Sequence, residues 1–283
     1  MDAFLGTGLL GSNFVRAMIR NGKQVQVWNR TEQKAKALED EGAKAFADPA
    51  DAVKGAEHIH ITLSDDTSVN EVLERASKGF SANAIIIDHT TTSAVGAAER
   101  SKKWKERGFA YLHAPVFMGP QNAFESSGYM MASGDEELFK KAEADLSKMT
   151  GKLIYLGPKP DRAAGIKLLG NLFLVSMTAG ISDTLTLAKA LDIPASEVTS
   201  LFEWFNPGAS APARVKRMIA AKFDRPSWEL SMARKDTRLM MEEAARGNAS
   251  LVAIPAIAKE MDKWIEKGFG QKDWTVIAKD AVS

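Results

Sequence analysis

The sequence predicts an α/β protein: a doubly wound, largely parallel sheet over residues 1–160, then an all-helical region over residues 161–283. Three observations carry this. Short apolar runs alternate with helical stretches through the first half, the pattern of a sheet built from strand-helix-strand units. A glycine-rich turn joins the first run to the first helix. Beyond Gly157-Pro158 the strand-like runs stop, and helical periods broken by Pro194, Pro207, Pro212, Pro226 and Pro255 take over.

The first strand, Ala3-Phe4-Leu5, leads into Gly6-Thr7-Gly8-Leu9-Leu10-Gly11 and a helix read as beginning Ser12-Asn13-Phe14-Val15. Strand, G-x-G-x-x-G turn and helix are the dinucleotide fingerprint of a Rossmann-type sheet. Gly6 allows the tight turn, Gly8 admits a pyrophosphate, and Gly11 lets the helix pack close, with the helix N–H groups facing the phosphates. A glycine turn alone is also a common structural element, so the next strand matters. Gln24-Val25-Gln26-Val27-Trp28 ends in Asn29-Arg30-Thr31, where the chain meets the adenosine ribose. An acidic residue there would repel a 2′-phosphate. Asn29 is uncharged, Arg30 offers a guanidinium fork, and Thr31 adds a hydroxyl, which favours NADP over NAD. The alternative makes Arg30 a solvated charge and Thr31 only a helix cap.

Further strands are read at His58–Leu63, Ala84–Ile87, Phe109–Leu112, Met130–Ser133 and Lys152–Leu156, with helices at Ser68–Ala76 and Ala94–Arg107. His58 and His60 share one strand face and are read as structural, because no further ligands stand at metal-binding spacing. Asp65-Asp66 reads as the acidic start of the helix at Ser68. Trp204, Trp228 and Trp264 read as core or pocket wall.

Of the 283 residues, 45% are hydrophobic, enough to fill two cores, and the 37 basic and 36 acidic side chains nearly cancel. That balance gives no electrostatic reason to bind nucleic acid or an anionic membrane. No apolar run is expected to span a bilayer, and residues 1–11 read as strand and turn rather than a signal, so the cytoplasm is the expected compartment. The absence of cysteine excludes disulfides, thiolate catalysis and Cys-ligated zinc.

The helix expected from about Ala163 to Leu191 carries Leu168, Leu169, Leu172, Phe173, Leu174, Val175 and Met177 around most of its circumference. An all-round apolar helix needs cover on every side. Either it is shared with a second subunit, giving a homodimer or homotetramer, or it is buried within its own chain. Lys167 and Asn171 stand one turn apart on it. A partly desolvated ammonium there can protonate the alkoxide that hydride transfer to a carbonyl creates, with the amide holding the same oxygen. The bland alternative is a snorkelling lysine beside a solvated asparagine. The position just past the sheet favours the chemical reading.

These marks together resemble the β-hydroxyacid dehydrogenases, a 3-hydroxyisobutyrate dehydrogenase-like group within the 6-phosphogluconate dehydrogenase superfamily. The resemblance runs the length of the chain, through Gly6–Gly11, Trp28-Asn29-Arg30-Thr31, Asp88-His89-Thr90-Thr91-Thr92, His113-Ala114-Pro115-Val116, Gly165–Asn171 and Lys235-Asp236. It implies a hydride-transfer enzyme acting on a small carbonyl or hydroxy acid, with Lys167 as acid/base and Asn171 at the substrate. It places Lys235 toward the nicotinamide, Thr91 between cofactor and substrate, and Leu63-Ser64 beside the cofactor, with Ser64 replacing a usual proline. The substrate loop departs more sharply. Where the family has Ser-Gly-Gly, this chain has Phe117-Met118-Gly119 followed by Pro120. The serine hydroxyl is lost and Pro120 offers no N–H, while backbone donors at Phe117, Met118 and Gly119 are expected to remain for an anion. Two further readings stay open: an imine reductase, against which the retained Lys167 speaks, and a catalytically idle NADP-binding sensor or scaffold.

Overall fold

A computed structural model describes residues 1–282, and the chain divides into two compact units, Met1–Asn171 and Leu172–Ser283. The first opens with β1 (Asp2–Leu5), α1 (Leu9–Arg20), β2 (Val25–Trp28), α2 (Glu32–Lys36), β3 (Lys44–Ala45), α3 (Pro49–Ala52), β4 (His58–Ile61) and α4 (Asp66–Ala76). It continues with β5 (Ile85–Asp88), α5 (Ala94–Glu106), β6 (Ala110–His113), β7 (Val116–Phe117), α6 (Pro120–Glu125), β8 (Tyr129–Ala132), α7 (Glu136–Leu146) and β9 (Lys152–Tyr155). The main sheet runs β3-β2-β1-β4-β5-β6 with every pair parallel. In that order the chain leaves β1 toward one edge and returns to start β4 on its other side. A crevice therefore opens beyond the carboxyl ends of β1 and β4.

Strand residues alternate between two cores. Phe4, Val27, Ile85 and Ile87 pack with Phe14 and Val15 of α1, while Leu5, Ile59, Ile61 and Ile86 pack with Leu73 of α4 and Trp104 of α5. Burial on both faces is why these strands read as nearly continuous apolar runs. The sequence reading missed two short strands. β3 and β7 are two residues each, too short to show a period, and β7 pairs antiparallel with β8 in a second sheet, β7-β8-β9.

Two helices begin earlier than the sequence suggests. α1 starts at Leu9 with Gly8 as its N-cap, not at Ser12, so the turn's second half is already helical. α4 starts at Asp66 rather than Ser68, because the Asp65 carboxylate caps it by accepting the Ser68 N–H at 2.7 Å.

The parallel register sets His60 beside Phe4, and the loop after β5 brings His89 onto it. The two rings stack at 5.3 Å between centroids, fully buried with Phe4 and Phe14. His89 Nδ1 donates to the Ala114 carbonyl (2.8 Å), leaving Nε2 to accept from His60 Nδ1 at 3.0 Å. Both rings are thus neutral. Burial pushes His89 down to about 4 and His60 well below its ordinary value. The unfolded chain takes up protons near pH 6.5 that the native state refuses. Stability is therefore complete above that pH and is lost as pH falls toward 4, by about 2 kcal/mol for His89 at pH 5, with His60 adding a loss of the same sign. Urea titrations at pH 7.5 and pH 5 should show the midpoint falling accordingly. An unchanged midpoint would rule out a neutral buried pair.

The second unit continues α8 (Arg162–Ala190), which begins in the first, and adds α9 (Ala195–Trp204), α10 (Ala211–Ile219), α11 (Leu230–Arg246), α12 (Ile254–Trp264) and α13 (Lys279–Val282). Phe223, Leu230, Ala233, Met261, Trp264 and Val276 form its core. Trp264 thus lies in the core, whereas Trp204 is 76% exposed.

α8 removes one alternative and corrects one expectation. Its own chain does not bury it: Leu169, Leu172, Phe173, Leu174 and Val175 are each more than half exposed. It is also, by length and composition, apolar enough to cross a bilayer, which no segment was expected to be. Interspersed Gly, Asn, Ser and Thr disguise that run in the sequence. Asp183 nevertheless fixes the helix within its unit. Its buried carboxylate accepts the N–H groups of Val252, Ala253 and Ile254 at 2.6, 2.8 and 3.1 Å, satisfying the otherwise unpaired start of α12.

Candidate active site

A cavity of about 570 Å³ lies at the carboxyl ends of β1, β2, β4 and β5, wholly within the first unit. At its floor the glycine turn has the geometry its residue types require. Gly6 sits at φ +98°, and a Cβ there would lie 2.1 Å from the Thr62 carbonyl oxygen. A Cβ at Gly11 would meet the Gly6 carbonyl oxygen at 2.0 Å, so only glycine lets α1 approach the turn. Gly8 is different: nothing stands within 4 Å of its missing Cβ, and it lines the cavity. The space a side chain would fill is open for a ligand. Gly8 also caps α1, whose first turn holds no acid, so its free N–H groups and positive dipole end favour a phosphate. Residues and cradle fit a dinucleotide pyrophosphate.

Asn29 has a part that its residue type did not reveal. Its Oδ1 accepts the Thr7 N–H at 3.0 Å and its Nδ2 donates to the Thr31 carbonyl at 2.9 Å, tying the end of β2 to the glycine turn. Thr7 itself is buried behind the wall. Thr31 stands at the N-cap of α2 but makes no side-chain cap bond, so the reading of Thr31 as only a cap does not hold and its hydroxyl stays free. Arg30, Lys34 and Arg75 all line this end of the cavity, against Glu71 as the one carboxylate on the wall among the described residues. Lys34 and Arg75 escaped sequence reading because α2 and α4 bring them from different parts of the chain.

At the other end, Leu63, Thr91, Met118 and Lys167 line the wall, as do Leu9 and Leu10 near the turn, while Ser64 adjoins Asp65, whose carboxylate feels the Arg30 charge. Thr90 and His89 join them. The Thr90 hydroxyl accepts the Leu63 N–H at 3.0 Å, which links the two loops at this end.

Lys167 is half-buried on α8, with its ammonium 4.4 Å from the centre of the Phe117 ring. Burial lowers its pKa. No carboxylate pairs with it among the described residues. Phe117 reaches this place because position 170 is glycine: a Cβ there would lie 2.2 Å from the ring's Cζ.

The loop that follows is poorer in donors than expected. Asn122 Oδ1 accepts the Gly119 N–H at 2.9 Å, so the Gly119 donor is taken, and Phe117 pairs with Tyr129 in the β7–β8 ladder, which leaves Met118 as the candidate on the cavity wall. The cause is Pro120, which starts α6 and turns Asn122 back onto the loop. Phe117 and Gly119 do not themselves line the cavity, nor does Asn171, which is half-buried one turn beyond Lys167. Lys235 belongs to the second unit, where its ammonium pairs with Asp236 at 2.6 Å. His113 is buried with both ring nitrogens unbonded, 3.7 Å from Asp88, as a structural residue behind the wall.

Comparison with known proteins agrees with this geometry. Residues 3–157 match the family described as the NAD binding domain of 6-phosphogluconate dehydrogenase. The uncharacterized oxidoreductase YfjR of Bacillus subtilis (strain 168) is 27% identical over 98% of both chains. The 3-sulfolactaldehyde reductase of Escherichia coli (strain K12) is 25% identical over 97% of this chain and 93% of that one. Among solved structures, imine reductase from Myxococcus stipitatus in complex with NADP+ superposes with a TM-score of 0.91 over 98% of each chain at 19% identity, a likeness of fold alone.

Proposed function

The chain belongs to the β-hydroxyacid dehydrogenase family of the 6-phosphogluconate dehydrogenase superfamily and is an NAD(P)-dependent oxidoreductase, and from that premise we propose that it moves hydride between NADP(H) and a small carbonyl of semialdehyde or keto-acid type. The observation that carries the reading is the ammonium of Lys167 on the wall of the cavity that begins at the glycine cradle. When bound, the nicotinamide supplies or accepts the hydride. In reduction the substrate carbon gains that hydride and Lys167 Nζ gives its proton to the carbonyl oxygen, leaving an alcohol and a neutral amine that water reprotonates. Oxidation runs the same proton back. Partial burial makes this ammonium a better acid than a solvated lysine. Thr91, on the cavity wall, and Asn171, one turn beyond Lys167, are assigned to hold the substrate.

Arg30, Lys34 and Arg75 support NADP over NAD, since the three cations suit a 2′-phosphate and the residue directly after β2 is Asn29 rather than an Asp or Glu. Arg30→Ala should raise the KM for NADPH about tenfold or more and leave that for NADH within about twofold, a loss typical of one charge-assisted phosphate contact. Equal effects on the two would remove Arg30 from phosphate recognition. The exposed apolar face of α8 supports a homo-oligomer in which a second copy covers it.

One observation favours a second reading. Phe117 in place of a hydroxyl, with the Gly119 N–H already bonded, leaves the loop apolar, as a neutral ketone or imine would need. Oxidation of NADPH and NADH by semialdehydes, keto acids, neutral ketones and cyclic imines separates the two. Turnover of semialdehydes supports the first. Activity confined to ketones or imines replaces it, and cofactor binding without any turnover leaves a sensor or scaffold.

A further inference from the structure

Arg100, on α5, does not line the nucleotide cavity, yet it is the single fully buried Lys or Arg side chain among the described residues, 2% exposed. Each arm of its guanidinium meets a different segment. Nη1 donates to Asp66 Oδ1 at 2.7 Å, Nη2 to the Thr92 hydroxyl at 2.7 Å, and Nε to the Tyr111 hydroxyl at 3.0 Å. Asp66 is the first residue of α4, directly after the cavity loop that carries Leu63 and Ser64. Thr92 lies in the second cavity loop, which carries Thr90 and Thr91.

The partners of Arg100 are themselves engaged with those loops. Asp66 Oδ2 accepts the Ser93 N–H at 2.9 Å. Asp88, at the end of β5, accepts the Tyr111 hydroxyl at 2.7 Å and the Thr90 N–H at 2.9 Å. A Cβ at position 96 would lie 1.9 Å from Asp66 Oδ1, so glycine is required there for Asp66 to reach the guanidinium. Burial alone would raise the Asp88 pKa. His113, Arg100 and Tyr111 instead hold it down to about 2, so the cluster stays ionised.

Taking these charges out of water is costly, and an apolar cluster of equal volume would often stabilise as well. The ion cluster does what an apolar one does not: it fixes direction. We infer that Arg100 is a positioning residue that sets the two loops at the Lys167 end of the cavity, and so the seat of the nicotinamide, without touching the cofactor. Lysine cannot replace it, because one nitrogen does not reach three segments as a planar fork does. This rests on the proposal that the nicotinamide lies at that end.

The test separates the two ends of the cofactor. NADPH and 2′,5′-ADP, which lacks the nicotinamide half, are titrated calorimetrically into the full-length wild type and Arg100→Lys, with thermal unfolding of each. Arg100→Lys should weaken NADPH about tenfold or more and leave 2′,5′-ADP within about threefold. Thr92→Val, which removes one hydroxyl partner off the cavity wall, keeps the test alive if the lysine variant does not fold, and should show the same split to a smaller degree. Equal weakening of both ligands, or a lowered Tm with both affinities intact, would reduce Arg100 to a merely structural role. Should the wild type prefer NADH, the split is read with NADH against 5′-ADP, so cofactor preference and the role of Arg100 fail separately.

Discussion

Lys167→Ala should lower kcat by about 10²- to 10⁴-fold, the usual contribution of one general acid, while NADPH affinity changes by no more than about threefold. Among the described residues the ammonium has no carboxylate partner to lose, and its removal leaves the glycine cradle and the Arg30 end of the cavity intact. Stopped-flow hydride transfer and a fluorescence titration of NADPH measure the two quantities. The pH dependence has a definite sign. Reduction needs the protonated lysine, so its rate falls as pH rises through the lowered pKa, whereas oxidation needs the free amine and gains over the same range. Both limbs should vanish in the variant. Turnover that survives in Lys167→Ala would assign the proton to another group and revive the imine-reductase reading.

The second large effect concerns α8. Leu172→Asp with Val175→Asp should convert an oligomer into a monomer in sedimentation equilibrium. The two side chains lie one turn apart and are each 68% exposed in the single chain. Covering them in two copies contributes about 6 kcal/mol or more, and buried aspartates would add a desolvation cost to that loss. NADPH binding by the first unit should persist, since neither residue lines the cavity. A wild type that is already monomeric at micromolar concentration would overturn the homo-oligomer. Asp183, tied to the N–H groups of Val252, Ala253 and Ile254 where α12 begins, argues for a helix that is part of a folded unit rather than a membrane span.

Much of the candidate site is legible in the residues because it is local. Gly6 and Gly11 declare backbone positions that no side chain tolerates, and the structure places them at φ +98° and against the Gly6 carbonyl. Arg30 declares itself by following a strand end, and Lys167 by standing just past the last strand. The donors of the substrate loop were not legible. Whether the Gly119 N–H is free depends on the rotamer of Asn122, and the seat of Phe117 depends on the bare Gly170, 53 positions later in the chain. Arg100 looked like one more charge on a polar helix, with nothing nearby in sequence to mark it as buried.

The sequence by itself therefore determined the alternation of the longer strands and helices, the glycine cradle, the uncharged Asn29 directly after β2 and the lysine one turn before Asn171. Each follows from conformational preference or chemistry within a few residues of chain. Only the tertiary structure decided that Asn29 holds Thr7, that Lys34 and Arg75 join Arg30, that Phe117 lies under Lys167, and that α8 is left uncovered by its own chain. Those outcomes join residues separated along the chain, and a side chain's partners at such distances are set by how helices and strands pack.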